Sequence, residues 1–213
     1  MKKRITAAAA ALLTAFSAMA GCSKENESVP EENTFDSENA FNEIYKDVPD
    51  SEEGPLLKIK DTTAPAGGVA EVTVTVSNAD LKWNICGLHI IYPEELDCIN
   101  QREGEPDAKF KAGPAAEGAS LQAAMEWFGV KTEEMAQRKV GSAFYTAAFT
   151  ENYGGDGDIV TFYLQIPEDA ESGDTYDVDF YFYETDLFKG TSNDMSFQKY
   201  AFSHWEGGTI TVE

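Results

Sequence analysis

Histidine, cysteine and basic residues are all scarce in this chain of 213 residues. Two histidines and three cysteines are present, and one histidine, His89, lies inside a segment with strand character. A catalytic or metal-binding cluster built on histidine is therefore hard to assemble. Lys and Arg total 16 against 38 Asp and Glu, which gives a formal net charge of −22. A field of this sign repels phosphate backbones, so the composition argues against nucleic-acid binding.

The N-terminal apolar run, residues 5–19, is too short for a membrane span of about 20 residues. It follows the basic residues 2–4 and fits the core of a signal peptide. The run leads into Gly21-Cys22 and resembles a bacterial lipobox, although Met19 stands where leucine is usual. This resemblance implies cleavage before Cys22 and lipidation of its new N-terminus; an ordinary secretory signal is the alternative. We expect an exported protein, lipid-anchored at the bacterial cell membrane or surface.

The composition divides the chain into three parts: a lipoprotein signal peptide (1–21), an acidic flexible tether (22–54) and a globular domain (55–213). The tether is crowded with Glu, Asp, Asn and Ser, and such segments bury too little apolar area to offset chain entropy. One alternative stays open, because Phe41, Ile44 and Tyr45 could form a helical turn that docks on the domain.

The domain is rich in strand patterns. Residues 69–77 alternate Val72, Val74 and Val76 with polar residues, which is the period of a strand with one buried face. A second strand, 83–92, is closed by Pro93, which cannot donate to a ladder. Further strands are predicted at 56–60, 96–100, 143–150, 159–166, 175–184 and 208–212, with a short edge strand at 109–111. About nine strands without a βαβ pattern predict an all-β fold, a β-sandwich with jelly-roll topology.

One segment, residues 119–139, departs from the strand period. Leu121, Ala124, Met125, Phe128 and Met135 recur at helical spacing, so the segment is predicted to be a helical insertion. A stripe of methionine and aromatic residues of this kind is typical of packing rather than of a cofactor site.

Neither the cysteines nor the acids of the domain form a recognisable catalytic or metal-binding motif. Cys86 and Cys98 have no metal-ligand spacing; a disulfide between neighbouring strands and two reduced, packed thiols both remain possible. Asp156-Gly157-Asp158 lacks the remaining ligands of a calcium loop and favours a hairpin turn. No carboxylate pair is singled out for glycoside hydrolysis among 38 acids, so we expect no enzyme. His204 is expected at or near the surface.

The order of these motifs resembles a cohesin module, the nine-stranded jelly-roll receptor of cellulosomes. The motifs are an EVTVTVSN strand, a Tyr92-Pro93 corner followed by Leu96, a Gly-Asp-Gly-Asp turn feeding IVTFYLQI, an aromatic strand and a final GGTITV. The resemblance covers residues 56–213. The corner departs from the family's common Tyr-Asp-Pro, and residues 119–139 are longer than a minimal cohesin requires.

The resemblance implies a non-catalytic receptor that binds a dockerin-containing protein of a polysaccharide-degrading assembly. It implies no cofactor of its own, because calcium belongs to the dockerin, and a monomer when unbound. The contact positions it implies lie on two strands: Asn84, Cys86, Leu88, Ile90, Ala147, Phe149 and Thr150. Alternation would put Ile85, Gly87, His89 and Ile91 on the opposite side of the first strand. Both sides are largely apolar, as expected if one meets the core and the other a partner, or if the helical insertion covers it.

The sequence leaves two other functions open. A carbohydrate-binding β-sandwich could use exposed aromatic rings, with Trp83, Trp127, Trp205, Tyr181 and Tyr183 as candidates. A purely structural envelope lipoprotein would show neither activity.

Overall fold

A computed structural model describes residues 36–50, 53–127 and 132–213 of the chain. The predicted signal peptide, the lipidation site Cys22 and the first part of the tether lie outside the described residues. So does Phe128 of the predicted helical insertion.

The described residues form twelve strands in two sheets. The five-stranded sheet has the order β1-β3-β9-β5, with β6 also paired to β9, and the seven-stranded sheet has the order β2-β12-β10-β4-β8-β7, with β11 paired to β4. The strands are β1 (Leu56–Ile59), β2 (Thr62–Ala64), β3 (Val69–Ser77), β4 (Trp83–Pro93), β5 (Asp97–Cys98), β6 (Phe110–Ala112), β7 (Leu121–Glu126), β8 (Val140–Ala148), β9 (Gly157–Gln165), β10 (Thr175–Tyr181), β11 (Leu187–Gly190) and β12 (Gly208–Val212). Three α-helices, α1 (Ser37–Tyr45), α2 (Thr132–Arg138) and α3 (Met195–Ser203), and a 3₁₀ turn at Pro114–Ala116 complete the described elements.

The alternating strands supply the core between the sheets. Val72, Val74 and Val76 of β3 are almost completely excluded from solvent, as their period predicts. Val178 and Phe180 of β10 are buried too. The predicted all-β class is confirmed, but the strand count is twelve in the described residues rather than nine. The additional strands are β2, β7 and β11.

The predicted helical insertion at 119–139 is wrong in its first half. Residues 121–126 form β7, which pairs antiparallel with β8 from Leu121 opposite Ala148 to Glu126 opposite Ala143. The spacing of the apolar residues suits a helix, but the unpaired edge of β8 offers a full ladder of backbone hydrogen bonds, and tertiary pairing overrides the local pattern. Trp127 follows with a positive φ of 57°. Helix α2 occupies only the second half.

Part of the predicted flexible tether is also ordered structure. Helix α1 begins at an N-cap, Asp36, whose carboxylate accepts hydrogen bonds from the backbone N–H groups of Glu38 and Asn39 at 3.1 and 3.2 Å. Such a cap satisfies N–H groups that have no partner within the helix. The helical turn that the sequence left as an alternative therefore forms, at greater length.

Helix α1 docks on the sandwich through its aromatic residues. Tyr45 is 1% exposed, and its hydroxyl accepts a hydrogen bond of 2.6 Å from Gln198 Nε2 on α3. The rings of Phe41 and Tyr45 both pack against Phe182. Because these contacts bury apolar area, the folded unit extends towards the N-terminus beyond the predicted boundary at residue 55.

The cysteines and helices add two findings. Cys86 in β4 and Cys98 in β5 are both free and lie in different sheets, which corrects the expectation that they occupy neighbouring strands. No helix among the described residues is long and apolar enough to cross a membrane.

Candidate interaction face

The orientation of β4 decides which of its side chains a partner could reach. Cys86, Leu88 and Ile90 are 0% exposed and belong to the core between the sheets. Their neighbours across the ladder, Ala147, Tyr145 and Ala143, are likewise completely buried. The alternation of β4 is therefore the reverse of the predicted one.

Most of the predicted contact residues are consequently wrong. Cys86, Leu88, Ile90 and Ala147 face the core, and Phe149, 7% exposed, packs edge-on against Trp83. Two of the seven predicted positions are accessible: Asn84 is half-buried, and Thr150 is exposed just beyond the end of β8. Thr150 Oγ1 lies 2.8 Å from Ser120 Oγ.

The physical reason for the reversal lies in the neighbouring strand β10. Asp179 of β10 is exposed and pairs with Ile91, whereas the buried Phe180 pairs with Ile90. Residues that face each other across a ladder lie on the same side of the sheet. The charged Asp179 therefore fixes Ile91 on the outer side and Ile90 on the inner side, which the apolar sequence of β4 cannot reveal.

The outer side of β7, β8, β4 and β11 forms one continuous surface, called here the outer face. Leu121 is 55% exposed, Gly87 is buried between its neighbours, and the other members are half-buried. Apolar residues predominate, Thr146 is the one hydroxyl and Lys189 the one charged residue of the set. Its members are Leu121, Ala123, Met125, Phe144, Thr146, Ala148, Ile85, Gly87, Leu187 and Lys189.

The middle of the outer face is flat because of one glycine. A Cβ atom on Gly87 would lie 3.3 Å from two ring atoms of Phe144, so the ring occupies the space above the β4 backbone. The same ring lies with its centroid 4.7 Å from that of His89. A side chain at position 87 would displace Phe144 and raise a ridge there.

A buried contact between a histidine and an aspartate borders the outer face. His89 Nδ1 lies 2.8 Å from Asp186 Oδ1, and both side chains are completely excluded from solvent. Asp186 Oδ2 also accepts a hydrogen bond of 3.0 Å from the Tyr183 backbone N–H. Burial raises the pKa of Asp186, and the contact with His89 opposes that rise. The pair fastens the segment between β10 and β11 to β4. The sequence indicated a buried His89, but gave no sign of its partner Asp186.

Helix α2 covers one end of the outer side of the sheet. Met135 is 0% exposed and packs with Tyr181 and Ile91. Glu134 Oε1 accepts hydrogen bonds from the Tyr181 hydroxyl and from Arg138, each near 3.0 Å. The insertion thus covers the end near Ile91 and leaves the end near Ile85 and Leu121 open.

The predicted turn at residues 156–158 uses its carboxylates within the protein. Asp156 Oδ1 accepts hydrogen bonds from the backbone N–H groups of Ala79 and Asp80, at 2.8 and 3.2 Å. Asp158 forms an ion pair with Lys60. Over the ranges that the structure describes, no group of three or more His, Cys, Asp or Glu residues is arranged to hold a metal ion.

The aromatic rings proposed for sugar stacking do not form an exposed line. Trp83 is 0% exposed, and its indole N–H donates to the Gly155 carbonyl oxygen at 3.0 Å. Tyr181 is buried, and Trp205 stacks on Phe180 with centroids 5.1 Å apart. This removes the structural basis for the carbohydrate-binding alternative at these residues. His204 is exposed, as predicted.

Solved structures with similar folds are cohesin modules. A type III cohesin module from the cellulosomal ScaE cell-surface anchoring scaffoldin of Ruminococcus flavefaciens is 29% identical, with a TM-score of 0.62 over 76% of this chain and 89% of that one. The sixth cohesin of scaffoldin B from Acetivibrio cellulolyticus, solved with a dockerin, is 16% identical, with a TM-score of 0.53 over 75% and 99%. The OlpC cohesin of Clostridium thermocellum, also in a dockerin complex, is 11% identical, with a TM-score of 0.51 over 78% and 97%.

No protein-family model and no curated protein sequence matches the chain. The structural similarity nevertheless covers about three quarters of it. The chain therefore has the cohesin fold, a mostly β-strand sandwich of two sheets.

Proposed function

We propose that this protein is a non-catalytic receptor that binds a dockerin module through the outer face. The observation that carries the proposal is the apolar, almost uncharged surface of the outer face in a chain of net charge −22. Surfaces of this kind, rimmed by polar residues, are typical of protein–protein contact sites. Two of the similar cohesins were solved in complex with dockerins, which supports the choice of partner.

The open end of the outer face has a shape that a rigid partner can contact closely. Ala123 and Ala148 are small, so a partner can approach β7 and β8 closely there, whereas the ring of Phe144 covers Gly87. Leu121 projects at the edge, where it is 55% exposed. Burial of apolar area contributes about 25 cal/mol per Å². The open end of the outer face would therefore contribute most of the favourable free energy of binding.

The proposal includes a location and a cofactor assignment. Cys22 would carry the lipid that anchors the protein at the bacterial cell surface, and the type III cohesin cited above comes from a cell-surface anchoring scaffoldin. The receptor would need no cofactor, would be a monomer when unbound, and calcium would belong to the dockerin. Replacing Cys22 with Ala should release the protein from the membrane fraction; retention there would contradict lipid anchoring.

Calorimetry of residues 36–213 against a panel of dockerins, with calcium and with chelator, tests the proposed function. Wild type should bind at least one dockerin in a calcium-dependent manner. Ala148→Asp places a charge on the outer face and should abolish that binding, while Asp169→Asn (D169N), on the exposed turn after β9, should not change it. Absence of binding to every dockerin type would overturn the proposal.

A further inference from the structure

A cleft at one end of the sandwich lies outside the outer face. Its volume is about 750 Å³, within the range of about 300–1,000 Å³ that is usual for ligand sites. It lies between the β3–β4 loop, the β8–β9 loop, the β11–α3 loop and α3. The inference drawn from it rests on the proposed function.

Two exposed apolar side chains line this cleft. Leu81 is 63% exposed and Tyr153 is 44% exposed, which places both among the most exposed large apolar residues of the described chain. Leu81 also has a positive φ of 55°, a conformation that a leucine adopts only where the surrounding structure imposes it. The cleft therefore offers apolar contact area that the fold itself does not use.

The charged residues of the cleft are mostly acidic. Three carboxylates line it, from Glu53, Asp80 and Asp194, against one ammonium group, that of Lys82. Lys82 lies 3.4 Å from Asp80, but both side chains are largely exposed, so this pair contributes little. The cleft disfavours anions and favours a ligand that carries positive charge.

The cleft begins where the open end of the outer face stops. Gly190, which lines the cleft, pairs with Trp83, and the neighbouring Lys189 pairs with Ile85 of the outer face. Tyr153 follows β8 shortly after Ala148, another residue of the outer face. A partner that binds the open end of the outer face can therefore place its neighbouring side chains in the cleft.

We propose that the cleft binds a basic segment of the docking partner, outside the apolar contact. The aliphatic stem of a lysine or arginine would pack on Leu81 and Tyr153, and its charged end would meet the carboxylates of Asp80 and Asp194. The outer face would supply the apolar contact, and the cleft would select among partners by charge.

The test compares a cleft variant with wild type in calorimetry against the bound dockerin at low and high salt. The double variant Asp80→Asn, Tyr153→Ser should bind about tenfold more weakly at low salt, with a smaller dependence on salt. Both positions are exposed, and asparagine tolerates the positive φ of 48° at position 80, so the fold should be retained. D169N removes one charge on the far side of the sandwich and should leave affinity unchanged.

The outcomes separate this inference from the proposed function. Binding of wild type with an unchanged affinity and salt dependence in the double variant would overturn the cleft assignment alone. Failure of wild type to bind any dockerin would overturn both. As a further arm, NMR titration with the neutral oligosaccharide cellohexaose should leave the signals of Leu81 and Tyr153 unmoved. Saturable shifts confined to those signals would identify a sugar site and overturn the basic-segment assignment.

Discussion

The two sides of strand β4 are almost equally apolar in sequence and differ sharply in the folded protein. On the inner side, Cys86, Leu88 and Ile90 are 0% exposed. On the outer side, Ile85 is half-buried, and the ring of Phe144 occupies the space above Gly87. The difference shows that apolar residues on both sides of a strand do not indicate which side faces the core.

A charge introduced on each side in turn gives the largest expected contrast. Leu88→Asp would bury an unpaired carboxylate in the core, which we expect to cost more than about 4 kcal/mol and to unfold the domain. Ala148→Asp, on the outer side, should change the free energy of unfolding by no more than about 1 kcal/mol. Thermal unfolding followed by circular dichroism measures both. A folded Leu88→Asp protein with near wild-type stability would contradict the orientation of β4.

The end of the outer side that α2 covers should behave as core. Met135 is 0% exposed, so Met135→Ala should lower the free energy of unfolding by about 2–5 kcal/mol. Leu121→Ala, at the open end, is the matched control and should cost less than about 1 kcal/mol, because Leu121 is exposed. Denaturant titration would distinguish them, and equal values for the two variants would mean that α2 does not seal its end of the sheet.

The contact between α1 and α3 should have a smaller effect. Tyr45→Phe removes the hydroxyl that accepts from Gln198 Nε2 and leaves a buried donor unsatisfied, at a cost of about 1–3 kcal/mol. Tyr153→Phe, on an exposed side chain, is the control and should be neutral. The same denaturant titration applies, and a neutral Tyr45→Phe variant would show that α1 is not held by this bond.

The smallest expected effect concerns the reactivity of the Cys86 thiol, which lies on the inner side of β4. Burial raises the pKa of Cys86 to about 12, so almost no thiolate forms near pH 8 and the sulfur is also shielded. Iodoacetamide should leave Cys86 unmodified in the native state and alkylate it in denaturant, as read by peptide mass spectrometry. Rapid native alkylation would place this side of the strand in contact with solvent.

Strands with charged residues on one side could be predicted from sequence, and strands without them could not be oriented. β3 and β10 alternate valine or phenylalanine with Glu71, Asp177 and Asp179, so their inner sides follow directly from the pattern. β4 lacks such a marker. Its orientation follows from pairing with β10, a contact between residues about 90 positions apart, which no local period encodes.

Local patterns also failed where tertiary partners decide the structure. Residues 121–126 have helical spacing but complete the edge of β8 as a strand. The acidic composition of residues 36–50 predicted a flexible segment, but Phe41 and Tyr45 dock it on the sandwich. Their partners, Gln198 on α3 and Phe182, are distant in sequence, so local composition does not reveal the contact. The side of β4 that was predicted to face outward is the side that faces the core.

The pairing of the first described elements with the last has a consequence for how the chain reaches its native state. Tyr45 meets Gln198 across 153 positions, Lys58 meets Glu206 across 148, and β2 lies parallel to β12. Contacts this distant in sequence slow folding, because a long loop must close before they form. The fold therefore cannot be completed until the final strand has left the ribosome.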